Sequence, residues 1–512
     1  MFKSFTDYEY LHTDIDEFYI TQIESMKFLL LNILILFISI ELSAQNNIQE
    51  AILNFASNPV FANASISFHA VNAKTGEILA EYNPSLSLPA ASTTKLFSTA
   101  SAFELLGPNY RPETKIYTDG IITSDSICNG NIWIRGGGDP SLGSKYFTND
   151  GDEKLFLLNW ADSIKKIGIK AITGNIIADA SEFGYIGAPD GWAWSDMGNY
   201  YGAGASGLTI FDNMIKYYFR TGSIPGTLTE LTHMSPKIDN FQFHNYIVAS
   251  RASGDNSYIY GSPYSLDRFG TGTLPINNSN FLVKGSLPDP ENQFAYEFYN
   301  ALISKGIIIN GSFQSVRKLD YRNIESRYNS NFKLLYSYKG ESVLSIATLT
   351  NMKSINLFAE HLLCLSGYQV NNDGSLENSL TQIEKYWKTR MNFNGLYLKD
   401  GSGLSRSNAI SAKHFSCLLV EMTKSNHFND FLSTLPVAGV SGTLSSVCKN
   451  QPGEGRVKAK SGTINRIKSY SGYVESKSGQ LIAFGFIVNN YNCSASQVVD
   501  LMERVFNVMA LE

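Results

Sequence analysis

Early in this 512-residue chain a strand hairpin and a helix begin a domain that the next stretch of sequence does not complete. Ser65–Val71 alternates apolar and polar residues and Glu77–Tyr82 does so more loosely, with the turn Asn72-Ala73-Lys74-Thr75-Gly76 between them. After Pro89-Ala90-Ala91, Ser92 opens an apolar-periodic segment that runs to Leu106 and stops at Gly107-Pro108, the pattern of a helix. From about Lys339 helical spacing returns, at Ser342–Asn351, Ile355–Leu365, Ser379–Met391 and Ser411–Lys424. Strand patterns follow at Arg456–Ser461, Lys468–Glu475 and Leu481–Asn490, with a Lys477-Ser478-Gly479 turn, and a last helix is predicted over Ser494–Ala510. Residues 45–108 and 336–512 therefore read as two parts of one domain, an antiparallel sheet flanked by helices. The segment 109–335 is a mostly β insertion with room for two nested modules. Its short strand-like runs are Asn131–Arg135, Ala171–Ala178, Lys216–Arg220, Asn245–Ser250, Tyr258–Tyr260 and Asn280–Gly285, interrupted by a helix near Asn292–Lys305. The fold class is α+β.

Residues 1–44 stand apart as an N-terminal extension and signal peptide. Met26-Lys27 precedes the apolar run Phe28–Ile40, and Ala44 ends the segment, which is the pattern of secretion. The run is short for a membrane span. The reading is a start at Met26 and a mature chain from near Gln45, exported to the periplasm without a stable membrane anchor. The final helix carries an apolar stripe of Val498, Leu501, Met502, Val505 and Val508 with no basic excess opposite, so it is expected to pack on the sheet. A balance of 41 basic and 46 acidic residues, net charge −5, argues against a nucleic-acid partner. Cys128, Cys364, Cys417, Cys448 and Cys493 form no C-x-x-C pair, and the seven histidines form no H-E-x-x-H, so no metal or other cofactor is expected. The Gly136-Gly137-Gly138 run lacks the Gly-Lys-Ser/Thr that a phosphate-binding loop requires.

Ser92-Thr93-Thr94-Lys95 places a hydroxyl and an amine three residues apart on one helix face. A free serine is a poor nucleophile, and a lysine with a lowered pKa can take its proton. The same spacing recurs at Ser163/Lys166, Ser315/Lys318, Ser330/Lys333 and Ser446/Lys449, so spacing alone does not single out Ser92; its place between a hairpin and an apolar helix does. Ser354-Ile355-Asn356 offers a second hydroxyl for proton relay and an amide able to hold the lysine or bind a substrate carbonyl. Lys460-Ser461-Gly462-Thr463 ends a strand. There a cation and two hydroxyls can bind a substrate carboxylate. The glycine permits close approach, and an edge N–H can complete an oxyanion hole with the N–H of Ser92.

S-x-x-K, S-x-N and K-[TS]-G in this order are the signature of β-lactamases and penicillin-binding proteins. The gap from Lys95 to Ser354, 354 − 95 = 259 positions, marks the subgroup. The chain resembles the D-alanyl-D-alanine carboxypeptidase/endopeptidases, the class C low-molecular-mass penicillin-binding proteins. Gly136–Leu142, Gly191–Asp196, Asp400–Arg406 and Leu435–Leu444 add to the resemblance, which spans roughly residues 50–510. It implies a β-lactamase/transpeptidase-like domain and a serine DD-peptidase that cleaves D-alanyl bonds in peptidoglycan stem peptides through an acyl-enzyme and is acylated by β-lactams. Carried over, Ser92 is the nucleophile and Lys95 its base, Ser354 and Asn356 serve relay and positioning, and Lys460, Ser461, Gly462 and Thr463 form the substrate-binding edge. Ser461 stands where the family usually has Thr. The alternatives are a β-lactamase, for which no water-activating base stands out, and a non-catalytic penicillin-sensing or wall-binding protein, which three intact motifs oppose.

Overall fold

A computed structural model of the chain describes residues 26–27, 47–149, 151–320 and 332–512. The apolar run Phe28–Ile40, the cut site at Ala44 and Ser330 lie outside the described residues. Among those described, no helix is long and apolar enough to cross a membrane.

Strands from both ends of the chain build one five-stranded antiparallel sheet. Its order is Val457–Ile464, Ile467–Glu475, Leu481–Asn489, Ser65–Asn72, Ile78–Tyr82. The middle strands are buried on both faces, as near-continuous apolar runs such as LIAFGFIVN require. One face packs against residues 47–56 and the C-terminal helix Ala495–Leu511, around Phe68, Phe484, Phe486 and Phe506. Val498, Met502 and Val505 of that helix are buried there, each contributing ~2 kcal/mol by removal from water. The other face carries the helices Lys95–Leu105, Val343–Lys353, Asn356–Asn371, Leu376–Lys388 and Ala412–Thr423, whose shared core holds Phe97, Phe103, Phe358, Trp387 and Phe415.

The insertion contains a five-stranded mixed sheet ordered Phe313–Ser315, Ile176–Asp179, Ile132–Arg135, Glu113–Thr118, Lys333–Lys339, and its last strand runs past the expected boundary at 335. Two helices cover it, Pro290–Ser304 and Leu155–Lys166. The second adds to the one helix expected from the pattern; it buries Leu157, Trp160, Ala161 and Ile164 at helical spacing. A further β core forms around Ile215, Tyr217, Phe219, Ile247 and Ile259. The run Ala171–Ala178 is two strands, Ala171–Ile172 and Ile176–Asp179, because Thr173 and Gly174 turn away to bond Cys128 and Gly130. All five cysteines are free; Cys128, Cys364 and Cys448 are buried as small apolar residues.

Candidate active site

Ser92 does not begin the helix directly. It lies in a 3-10 turn, Ala91–Thr94, which passes into the helix Lys95–Leu105. Ala91 has φ +49°, a left-handed conformation that is strained without glycine. Gly403 presses on this residue from outside: a Cβ there would lie 1.9 Å from the Ala91 carbonyl oxygen. Inside, Ser469 Oγ and Thr93 Oγ1 donate to the Ala90 carbonyl at 2.6 and 2.7 Å. The turn is held from both sides, and Ser92 is left half-buried at its tip.

The Lys95 side chain is fully buried. Its Nζ lies 2.9 Å from Ser92 Oγ, 2.7 Å from Asn356 Oδ1 and 2.7 Å from the Ser402 carbonyl oxygen. Burial lowers its pKa from 10.5 to about 7, against the opposing pull of Asp400 and Glu360. Asn356 is oriented by two different partners. Its Oδ1 accepts from Lys95 while its Nδ2 donates to the Tyr201 carbonyl at 2.8 Å, so the amide fits one way round.

The carbonyl of Ser402 is presented by a polar knot. Glu360, one helical turn beyond Asn356, accepts from the N–H groups of Gly401 and Ser402 at 2.9 and 2.8 Å. Asp400 accepts from the N–H groups of Gly403 and Ser405, from Asn408 Nδ2 and from Trp192 Nε1 at 2.7–2.8 Å. Burial and the neighbouring Asp400 raise the pKa of Glu360.

Lys460 closes the other side. It too is fully buried, and its Nζ donates to Ser354 Oγ at 2.9 Å and to the Ser461 carbonyl at 2.7 Å. Burial, with Lys95 and Lys468 nearby, drives its pKa well below 10.5. Ser354 sits in the left-handed cap that ends the helix Val343–Lys353, which turns its hydroxyl toward Lys460. The strand Val457–Ile464 is a sheet edge. The Ala459 N–H points outward to the Pro436 carbonyl, so by strand alternation the N–H groups of Ser461 and Thr463 also face the open edge. Ser461 Oγ donates to Thr443 Oγ1 at 2.8 Å. A Cβ on Gly462 would lie 2.3 Å from Ser469 Oγ, 2.6 Å from the Ala90 oxygen and 2.9 Å from the Ser92 nitrogen. Only glycine allows the strand this close to the Ser92 turn.

All eight sequence-derived site residues thus meet in one place. The other S-x-x-K serines among the described residues are elsewhere: Ser163 Oγ donates to its own helix at Asn159, Ser315 is buried in a strand, and Ser446 and Lys449 are exposed on a turn. Pattern reading did not find Glu360, Tyr201 or Trp192 as partners of the site. Trp192 lies within Gly191–Asp196, a segment that added to the resemblance, and the four-residue step from Asn356 to Glu360 puts both on one helix face.

A model of the D-Ala-D-Ala carboxypeptidase 3 (S13) family matches residues 48–508. Penicillin-sensitive carboxypeptidase A of Dictyostelium discoideum is 27% identical over 444 residues, covering 81% of this chain and 80% of that protein. D-alanyl-D-alanine carboxypeptidase DacB of Haemophilus influenzae is 24% identical over 467 residues, covering 85% of this chain and 90% of its own. The crystal structure of penicillin binding protein 4 (dacB) from the same organism shares the fold, with a TM-score of 0.76 at 22% identity over 88% of this chain and 97% of that one.

Proposed function

The chain belongs to the D-Ala-D-Ala carboxypeptidase 3 (S13) family, and we propose that Ser92 is its acylated nucleophile and Lys95 its general base. The protein is a serine DD-peptidase that cleaves D-alanyl peptide bonds of peptidoglycan and is acylated by penicillin. One observation carries the assignment of residues. Lys95 Nζ has two carbonyl acceptors, Asn356 Oδ1 and the Ser402 oxygen, and one hydroxyl neighbour, Ser92 Oγ. A neutral amine has two N–H groups and one lone pair. With the N–H groups on the carbonyls, the lone pair faces the Ser92 proton, and a pKa near 7 keeps a large neutral fraction at physiological pH.

In this reading Lys95 takes the Ser92 proton as Oγ attacks the carbonyl carbon of the penultimate D-Ala. The oxyanion is received by the N–H groups of Ser92 and Thr463. The C–N bond then breaks, and the leaving amine is protonated through the Ser354 hydroxyl, which Lys460 orients. Water hydrolyses the Ser92 ester and restores the serine. Asn356 positions Lys95 and the substrate amide. Lys460, Ser461 and Thr463 bind the substrate carboxylate, with Gly462 making room at the edge.

Penicillin treatment followed by intact-mass and peptide-mapping spectra tests the assignment. A single adduct on Ser92, with D-Ala released from a D-Ala-D-Ala peptide by the untreated protein, is the expected result. A label on Ser163, Ser315, Ser330 or Ser446, or none, overturns it. Export to the periplasm is supported by the Met26–Ala44 pattern. N-terminal sequencing of the exported protein should begin near Gln45, and a chain retaining Phe28–Ile40 would refute cleavage.

A further inference from the structure

Two lysines line the open strand edge. Among the described residues, the partners of Lys460 are the Ser354 hydroxyl and the Ser461 carbonyl and that of Lys468 is the Thr463 hydroxyl, with no carboxylate among them, whereas Asp400 and Glu360 both favour the charged form of Lys95. Lys468 lies on the neighbouring strand Ile467–Glu475, directly opposite Thr463. The outward N–H of Ala459 makes 463 and 468 a non-hydrogen-bonded pair, the kind in which facing side chains stand closest. Lys468 Nζ donates to Thr463 Oγ1 at 3.0 Å and sits 4.8 Å from the centre of the Tyr470 ring. A hydroxyl that accepts from an ammonium keeps its own proton free to donate to an anion. Thr463 is exposed and Lys468 half-buried, so a ligand can reach both. Lys460 is placed differently: fully buried, it gives its N–H groups to Ser354 and to the Ser461 carbonyl.

We propose that Lys468 is a substrate-binding residue which, together with the Thr463 hydroxyl, holds one oxygen of the carboxylate that terminates a D-Ala-D-Ala peptide. This rests on the reading above of Ser461 and Thr463 as carboxylate-binding groups and deepens it. Lys468 sets the preference for a free terminal carboxylate beside Lys460, which also holds the Ser354 hydroxyl. Burial lowers the Lys468 pKa to about 8, and a bound carboxylate would supply the charge partner that the free protein lacks.

The test compares native protein, Lys468→Met and Lys468→Arg on a peptide ending in D-Ala-D-Ala and on the same peptide with a C-terminal carboxamide. Lys468→Met should lower kcat/KM for the carboxylate peptide ~10- to 100-fold, the range of one charge-assisted hydrogen bond. It should leave the carboxamide peptide within about twofold. Lys468→Arg, which keeps the charge, should retain most of the native preference. A penicillin and its methyl ester, compared by acylation rate, give the same contrast if the carboxamide peptide turns over too slowly to measure. Equal losses on both members of a pair would make Lys468 structural, and no loss on either would leave it without a role; each overturns the inference. If native protein forms no Ser92 adduct, the site assignment falls and this inference with it. Normal Ser92 acylation with unchanged carboxylate preference in Lys468→Met sinks this inference alone.

Discussion

Lys95 and Lys460 lie in the same site, both fully buried, and their surroundings differ in kind. Around Lys95 the protein has placed two carbonyl acceptors and, behind them, the carboxyls of Asp400 and Glu360. Around Lys460 there are a hydroxyl, one carbonyl and two further lysines. Burial lowers both pKa values, and only in the first corner does nearby negative charge limit the fall. The first corner is electrostatically complete and poises an amine to exchange a proton near neutral pH. The second is incomplete without an anion, which the substrate carries. In the proposed reading, one lysine is arranged for proton transfer and the other belongs to a binding surface.

Removing the base corner should have the largest effect. Lys95→Met should lower penicillin acylation by ~10³-fold or more, with the melting temperature retained, because Ser92 then has no group to take its proton. In native protein the acylation rate should rise as pH climbs through about 7 and level off above it, since Lys95 accepts a proton only when neutral. A near-native rate in Lys95→Met, or a rate that falls through that range, would break the comparison from the Lys95 side.

Disturbing the distance between the corners should rank next. In Gly462→Ala the new methyl meets Ser469, Ala90 and the Ser92 nitrogen, so the strand must withdraw from the nucleophile turn. Loss of alignment of one oxyanion donor corresponds to about 10²-fold in acylation rate. Acylation within about threefold of native would mean that the edge is not where the oxyanion forms.

A smaller effect is expected from Glu360→Gln, which keeps the shape and replaces the ionisable carboxyl behind Lys95. A carboxamide cannot accept from both the Gly401 and Ser402 N–H groups, since one of its ends is a donor. The Ser402 carbonyl should shift, with acylation falling about tenfold. Glu360 raises the Lys95 pKa, and Asp400 and Lys460 are the other charged groups facing that amine, so the midpoint of the pH–rate curve should move to lower pH. An unmoved midpoint would show that Glu360 acts only through the shape of the loop.

Much of the site was legible as pattern. Ser92 to Lys95, Ser354 to Asn356 and Lys460 to Thr463 are short fixed spacings at predicted element ends, where backbone geometry leaves little choice of direction. The sheet strands were legible because each buries a continuous or alternating apolar run. The 3-10 turn at Ser92 was not, because its left-handed Ala91 is imposed by packing of Gly403 and Ser469 rather than by alanine's own preference. The helix Leu155–Lys166 was missed among strands whose short apolar runs resemble its own.

Local chemistry and periodicity along the chain were enough to propose a nucleophile, its base and a strand edge, because each is a short motif whose residues act on close neighbours. Which carbonyl faces Lys95, which carboxyls stand behind it and which lysine waits at the open edge were settled by contacts between distant segments. Ser402 is 307 positions from Lys95, and Tyr201 is 155 from Asn356. A lysine's role depends on the dielectric and the charges around its tip, and those are set only when chain segments far apart in sequence close over it.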